Sequence, residues 1–212
     1  MQAVVEARRE YMNMLEECMV PEMSSTFMNM YSDTDELLRG DRGRISKFKE
    51  ISSEISSWSD STIDVHVDRI KAECPWFDKL IEASIVSLVQ IMNSVKINKQ
   101  NNKLSLTIPS TSEFVRKCYK VSQGYICKSA EFMSKEDERE FILAKRIVKA
   151  IDSVIRSYVP LQNIILMNIS SRNEDYAISE EIPEEEIPEE EPPSEEDVKT
   201  IDNDVLMPDA SD

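Results

Sequence analysis

The chain has 212 residues, 41 of them Asp or Glu against 25 Lys and Arg, for a formal net charge of −16, and it holds only three glycines. So few glycines argue against phosphate-cradling loops and turn-rich β folds, and favour helices. The acidic balance opposes direct nucleic-acid binding, which is driven by positive charge meeting phosphate.

The charge is concentrated at one end. Residues 171–212 carry 17 acids against Arg172 and Lys199, a net of −15, so residues 1–170 are close to neutral. About 170 residues suffice for one domain with a sizeable core. The expected architecture is therefore all-α: a single multi-helix domain over residues 1–170, with one or two short extended segments, followed by an acidic, proline-punctuated tail over 171–212.

In chain order, Val4 to Met19 has helical spacing through Val4, Ala7, Tyr11, Leu15 and Cys18. Pro21 suits the first turn of a second helix, read as running to about Leu38 with Met23, Phe27, Met30, Tyr31 and Leu37. Arg39-Gly40-Asp41-Arg42-Gly43 reads as a loop. A third helix shows Ile45, Phe48, Ile51, Ile55 and Trp58. Asp60 and Ser61 offer caps for a fourth, striped by Ile63, Val67, Ile70 and Cys74. Pro75 opens a fifth whose apolar surface, Phe77, Leu80, Ile81, Ile85, Leu88, Val89 and Met92, is wide enough to mean burial on several sides. The uncharged stretch from Ala83 to Val95 is too short to span a bilayer and reads as core.

Leu104, Leu106 and Ile108 alternate before Pro109, which predicts a short extended segment. Ser110 or Ser112 caps the next helix, with Phe114, Val115, Cys118, Tyr119 and Val121, and Gly124 is placed to break or kink it. Ser134-Lys135-Glu136-Asp137 starts the last clear helix, with Asp137 in a capping box and a stripe of Phe141, Ala144, Val148, Ile151, Ile155 and Tyr158. Pro160 ends it, and Leu161 to Ile169 is ambiguous between strand and helix. Beyond this, Glu180 to Pro193 repeats Glu-Glu-Ile-Pro motifs, whose repulsion and prolines oppose helix and sheet, so the tail is expected to be disordered unless bound to a partner.

No residue pattern points to catalysis. P-loop, G-x-G-x-x-G, H-E-x-x-H and G-x-S-x-G motifs are missing from the sequence, and the single histidine, His66, is read as a surface or boundary residue off the apolar stripe. Cys18, Cys74, Cys118 and Cys127 have spacings of 56, 44 and 9, without paired ligand spacing. Structural zinc and other cofactors are therefore not expected and reduced thiols are, although an even count leaves two disulfides open. Arg39-Gly40-Asp41 matches an adhesion tripeptide and Asn168-Ile169-Ser170 a glycosylation sequon. Both patterns need a secretory context, and no signal peptide is expected from the start of the sequence.

The candidate contact residues are charged. Arg39, Arg42, Arg44, Lys47 and Lys49 form a basic segment suited to an acidic surface, including the chain's own tail. In the tail, Glu184, Glu185, Glu186, Glu189, Glu190 and Glu191 suit a basic groove on a partner, and Val205, Leu206 and Met207 offer an apolar anchor.

Several blocks carry a family likeness. They are Tyr11 and Leu15; Pro21 and the aromatic run to Tyr31; Trp58, Ile63, Arg69-Ile70 and Cys74; Trp76-Phe77-Asp78-Lys79-Leu80-Ile81-Glu82-Ala83-Ser84; and Ile108-Pro109 with Phe114, Lys117, Cys118 and Tyr119. Over residues 10–135 the chain resembles a family of uncharacterised proteins of nucleocytoplasmic large DNA viruses, of mimivirus-, phycodnavirus- and iridovirus-like groups. Gly124-Tyr125-Ile126 departs from the Pro-Tyr segment expected there. The resemblance transfers no active site. It implies a non-enzymatic structural protein, a minor capsid or capsid-cementing component that contacts other virion proteins, located in the virion and, during assembly, in the infected cytoplasm. The alternative is a soluble regulatory adaptor in the infected cell that recruits a basic partner through its acidic tail.

Overall fold

A stripe at Met12, Leu15, Met19, Met23, Phe27 and Tyr31 recurs every three or four residues and is buried throughout. That spacing keeps one face of a single helix against the core. The helix, α1 (Gln2–Ser32), is 31 residues long, about 46 Å at 1.5 Å per residue, and Pro21 lies inside it. The expected break at Pro21 does not occur. An interior proline costs about 3 kcal/mol. Pro21 and Glu17, the residue whose carbonyl it cannot serve, are both exposed, so the lost bond lies on the solvent side of the helix. The buried side chains on both sides of it, at about 1.5–3 kcal/mol each, outweigh that cost. Thr34 closes the C-terminus, its hydroxyl donating to the Tyr31 carbonyl at 2.6 Å.

The computed structural model describes residues 2–34, 41–93, 106–162 and 164–165. These hold α1, α2 (Asp41–Ser53), a 3-10 turn (Glu54–Ser57), α3 (Asp60–Glu73), α4 (Phe77–Asn93), α5 (Thr111–Cys127), a second 3-10 turn (Ala130–Ser134) and α6 (Glu136–Ser157), with no strand among the described residues. The fold is all-α. The expected loop is shorter than read, because Asp41, Arg42 and Gly43 already belong to α2; Arg39, Gly40 and residues 35–38 lie outside the described residues. Likewise Ile45 to Trp58 is not one helix, since the 3-10 turn follows α2 at Glu54.

The caps explain two boundaries. Ser59, rather than Asp60 or Ser61, caps α3, its Oγ accepting from the Thr62 N–H at 3.2 Å. Ser110 caps α5 in the same way through Glu113 N–H. Before it, residues 106–110 are non-helical, and Ser110 is extended at φ −66°, ψ 155°. The start of α6 departs from expectation: Ser134 ends the preceding turn, and the cap position, Lys135, makes no side-chain capping bond, its ammonium donating instead to Glu138 at 3.3 Å. Three acids in the first turn, Glu136, Asp137 and Glu138, complement the dipole instead.

Gly124 neither breaks nor kinks α5, and a Cβ there would meet nothing within 4 Å. Gly124→Ala should therefore stabilise the chain by about 0.5–1 kcal/mol, read as a higher midpoint in urea. A loss of stability would show a hidden steric demand at that position.

Core packing runs through α1, which lies against α2, α3, α4 and α6, while α5 packs on α3 and α6. The face of α6 agrees with the expected one at Ile151 and Ile155 and differs from it in the first turns. Leu143, Ile147, Ala150, Ile151, Val154 and Ile155 are buried, whereas Phe141 is 63% exposed with the Lys145 ammonium 4.1 Å from its ring centre. Both sets have helical spacing, and Ala144 and Val148 stay half-buried at the edge. The set that meets α1 and α5 wins. After Tyr158, residues 161–162 and 164–165 are helical, with Ile164 buried and Leu161 and Ile165 exposed.

Candidate functional site

His66 sits where α1, α3 and α5 meet, and it corrects the sequence reading, being only 8% exposed. Its ring stacks on Trp58 at 5.0 Å between centroids and 16° between planes, and lies 4.9 Å from Tyr119. The pattern did carry the signal. Ile63, His66, Val67 and Ile70 are i, i+3, i+4 and i+7, so His66 belongs to the stripe from which its polarity removed it.

The proton arrangement follows from donors and acceptors. A Glu22 carboxylate only accepts, so the His66 Nδ1, 2.8 Å from Glu22 Oε1, carries the hydrogen between them. Arg69 donates to the same oxygen at 3.1 Å. The Thr26 hydroxyl donates to the Glu22 main-chain carbonyl at 2.9 Å, which leaves its oxygen to accept from the Tyr119 hydroxyl at 3.2 Å. Tyr119 also lies 3.2 Å from His66 Nδ1, and burial pushes its phenol well above the usual range. Tyr119 is thus held protonated, a poor nucleophile. Each group is matched, and the cluster braces three helices across a buried polar seam.

Beside the cluster, α1 and α3 leave an open groove of about 560 Å³, lined by Cys18, Pro21, Glu22, Arg69 and Ile70 among others. The Cys18 thiol is half-buried, and Cys74 is the buried C-cap of α3. Burial first, and Cys74 second, push the Cys18 thiol up to about 12. All four cysteines are free.

The basic segment is drawn into the fold. Arg42 is exposed on α2, Arg44 lies 4.6 Å from the centre of the Tyr31 ring, and Arg139 of α6 lies 4.8 Å from the same centre. Lys47 donates to Glu50 at 2.8 Å, and Lys49 reaches Glu131 at 3.7 Å. Four of the five basic residues thus lie on one helix, three of them engaged with side chains of the chain itself. Arg39 and the tail residues Glu184, Glu185, Glu186, Glu189, Glu190, Glu191, Val205, Leu206 and Met207 lie outside the described residues.

A third feature lies where α3, α4 and α5 are pinned together. Asp78, at the start of α4, accepts from Thr111 of α5 and from Lys71 of α3, the latter at 3.0 Å. The Thr111 hydroxyl, then Lys71, hold its carboxyl below the usual range. Ser112 donates to Asp64 at 2.8 Å. Around these bonds stand apolar side chains in water: Trp76 is 47% exposed, Val65 48% and Ile108 36%. Trp76 and Ile108 lie two and three positions from the Asp78–Thr111 bond, and Val65 adjoins Asp64. The sequence marks Trp76 only in a resemblance block, and Ile108 in one and in the alternating segment before Pro109. Their positions just before helix starts, off the buried face, were the available sign of exposure.

Among the described residues, no helix is long and apolar enough to cross a membrane. The model of DUF5764, a family of unknown function, matches residues 1–126, and the chain belongs to that family. No curated protein and no solved structure matches it.

Proposed function

We propose that this DUF5764 member is a non-enzymatic component that makes protein–protein contacts, and more specifically a minor capsid or capsid-cementing protein of a large DNA virus. The observation that carries the contact reading is the junction of α3, α4 and α5. There Val65, Trp76 and Ile108 face water from a frame fixed by Asp78, Thr111, Lys71, Asp64 and Ser112. An exposed tryptophan on a rigid frame supplies large apolar area at low entropic cost, which is the character of interface hot spots. The virion placement rests on the family resemblance of the Trp76 to Ser84 block.

The test compares wild type with the Trp76→Ala/Ile108→Ser double variant. Both side chains leave exposed positions, so the circular-dichroism melt should stay within a few degrees. Quantitative mass spectrometry of purified virions should show the wild type at a fixed ratio to the major shell protein and the double variant reduced at least tenfold, about 1.4 kcal/mol of binding. Equal incorporation of the variant would remove the junction as the contact. Absence of the wild type from virions, with co-purification of a basic partner from infected cells, would favour the adaptor alternative, which the net charge of −15 over residues 171–212 supports.

A further inference from the structure

Positive charge is spread unevenly over the helical body. Residues 114–130 and 141–151 hold seven Lys and Arg and no Asp or Glu, in a chain where acids outnumber bases 41 to 25. They fall on α5, on the turn after it and on α6, two helices that pack on each other. Three contacts join these stretches into one surface. Lys149 of α6 lies 5.0 Å from the centre of the Tyr125 ring on α5, and Lys117 of α5 lies 4.2 Å from that of Tyr158 at the end of α6. Arg146 of α6 donates to the Ser129 hydroxyl, just past α5, at 3.1 Å.

The charge on this surface is unmatched. Elsewhere cations meet carboxylates: Lys71 pairs with Asp78 and Lys79 with Glu82. Of the seven, Arg116 alone does so among the described residues, with Asp60. Lys120, Lys128, Lys145 and Lys149 are exposed, and three of these ammoniums lie near rings: Lys145 over Phe141, Lys149 and Lys128 over Tyr125. An aromatic face orients an ammonium and leaves its charge uncancelled. The segment that the sequence singles out as basic differs, since Lys47 and Lys49 on α2 already have Glu50 and Glu131.

We propose that the α5–α6 face of Lys117, Lys120, Lys128, Lys145, Arg146 and Lys149 is the docking surface for the chain's own acidic segment, Glu180 to Asp197. That segment carries 11 acids and no base, the complement of the face. It also lies within reach. The 14 residues 166–179 that join it to Ile165 span up to about 46 Å, whereas the 22 residues of α6 cover about 33 Å. A tether of this length keeps the segment at an effective concentration near millimolar, so weak charge pairs suffice. Docked there, the tail is withheld from other basic surfaces, and a partner must compete with α5 and α6 for it.

The test acetylates surface lysines of the full-length protein with a water-soluble ester and reads each site by peptide mapping. It compares wild type with a variant in which Glu184, Glu185, Glu186, Glu189, Glu190 and Glu191 are all changed to Gln, which leaves the helical body untouched. At 50 mM salt, Lys128, Lys145 and Lys149 should react at least threefold more slowly in wild type. The difference should vanish at 1 M salt, where the Debye length falls to about 3 Å. Lys79 on α4, with its side chain 81% exposed, should react equally in both. Carbodiimide coupling of a mixture of nitrogen-15-labelled and unlabelled wild type should link these lysines to Glu184–Glu196 within one chain. Equal rates in the two proteins, links confined to Lys47 and Lys49, or links only between labelled and unlabelled chains would each overturn the assignment. So would a DNA oligonucleotide that binds wild type as tightly as the Gln variant, because the face would then be open to nucleic acid.

Discussion

Tyr119→Ala should lower the stability of the chain by about 3–5 kcal/mol, and Tyr119→Phe by only about 0.5–1.5 kcal/mol. Tyr119 has no exposed surface, and its ring meets Phe27 at 6.2 Å, Trp58 at 5.1 Å and His66 at 4.9 Å. Alanine leaves a cavity among three rings on three elements. Phenylalanine keeps the ring and loses only the hydroxyl's bonds to Thr26 and His66, while His66 retains Glu22. Urea unfolding of the three proteins separates the two contributions. If phenylalanine costs as much as alanine, the hydroxyl network and not the ring packing holds the junction. If alanine costs little, the brace is not part of the cooperative core.

Leu88→Asp should prevent folding. Leu88 is 6% exposed within a helix that also buries Phe77, Leu80, Ile81, Ile85 and Val89. A carboxylate there has no partner to offset its desolvation, a cost of several kcal/mol that is comparable to the whole stability of a small domain. Leu88→Ala, at about 2–5 kcal/mol, is the milder control. The readout is the near-ultraviolet circular dichroism signal of Trp58 and Trp76 together with amide dispersion by NMR. A well-dispersed Leu88→Asp spectrum would mean that this face of α4 is a surface awaiting a partner.

Helix content and most of the core were legible because burial imposes a period that sequence displays. Ile63, Val67, Ile70 and Cys74 on α3, and the wide apolar face of α4, stood where the spacing put them. Three things were not legible. Pro21 was read by its local cost, while the structure is decided by the stripe from Met12 to Tyr31 that continues across it. On α6 two interleaved stripes both satisfied the period, and only contact with α1 and α5 selects Leu143, Ile147 and Val154 over Phe141. His66 was excluded by residue type, although its partners, Glu22 from 44 positions upstream and Tyr119 from 53 downstream, are what make its burial tolerable. Pairings at that separation leave no mark on a local pattern.

The long first helix has a consequence for synthesis on the ribosome. α1 emerges before the helices that pack on it, carrying its apolar stripe from Met12 to Tyr31, and its partners α4 and α6 begin only at Phe77 and Glu136. Arg8 of α1, which donates to the Ser84 carbonyl at 3.1 Å, pairs with Asp152 of α6 at 3.5 Å. At about 5–20 residues per second, the stripe waits roughly 7–30 seconds between its own appearance and that of the last helix that covers it. During that interval only α2 and α3 are available to cover part of the stripe, and what protects the rest is the speed of translation and the chaperones that hold it, since its contacts with α4 and α6 do not yet exist.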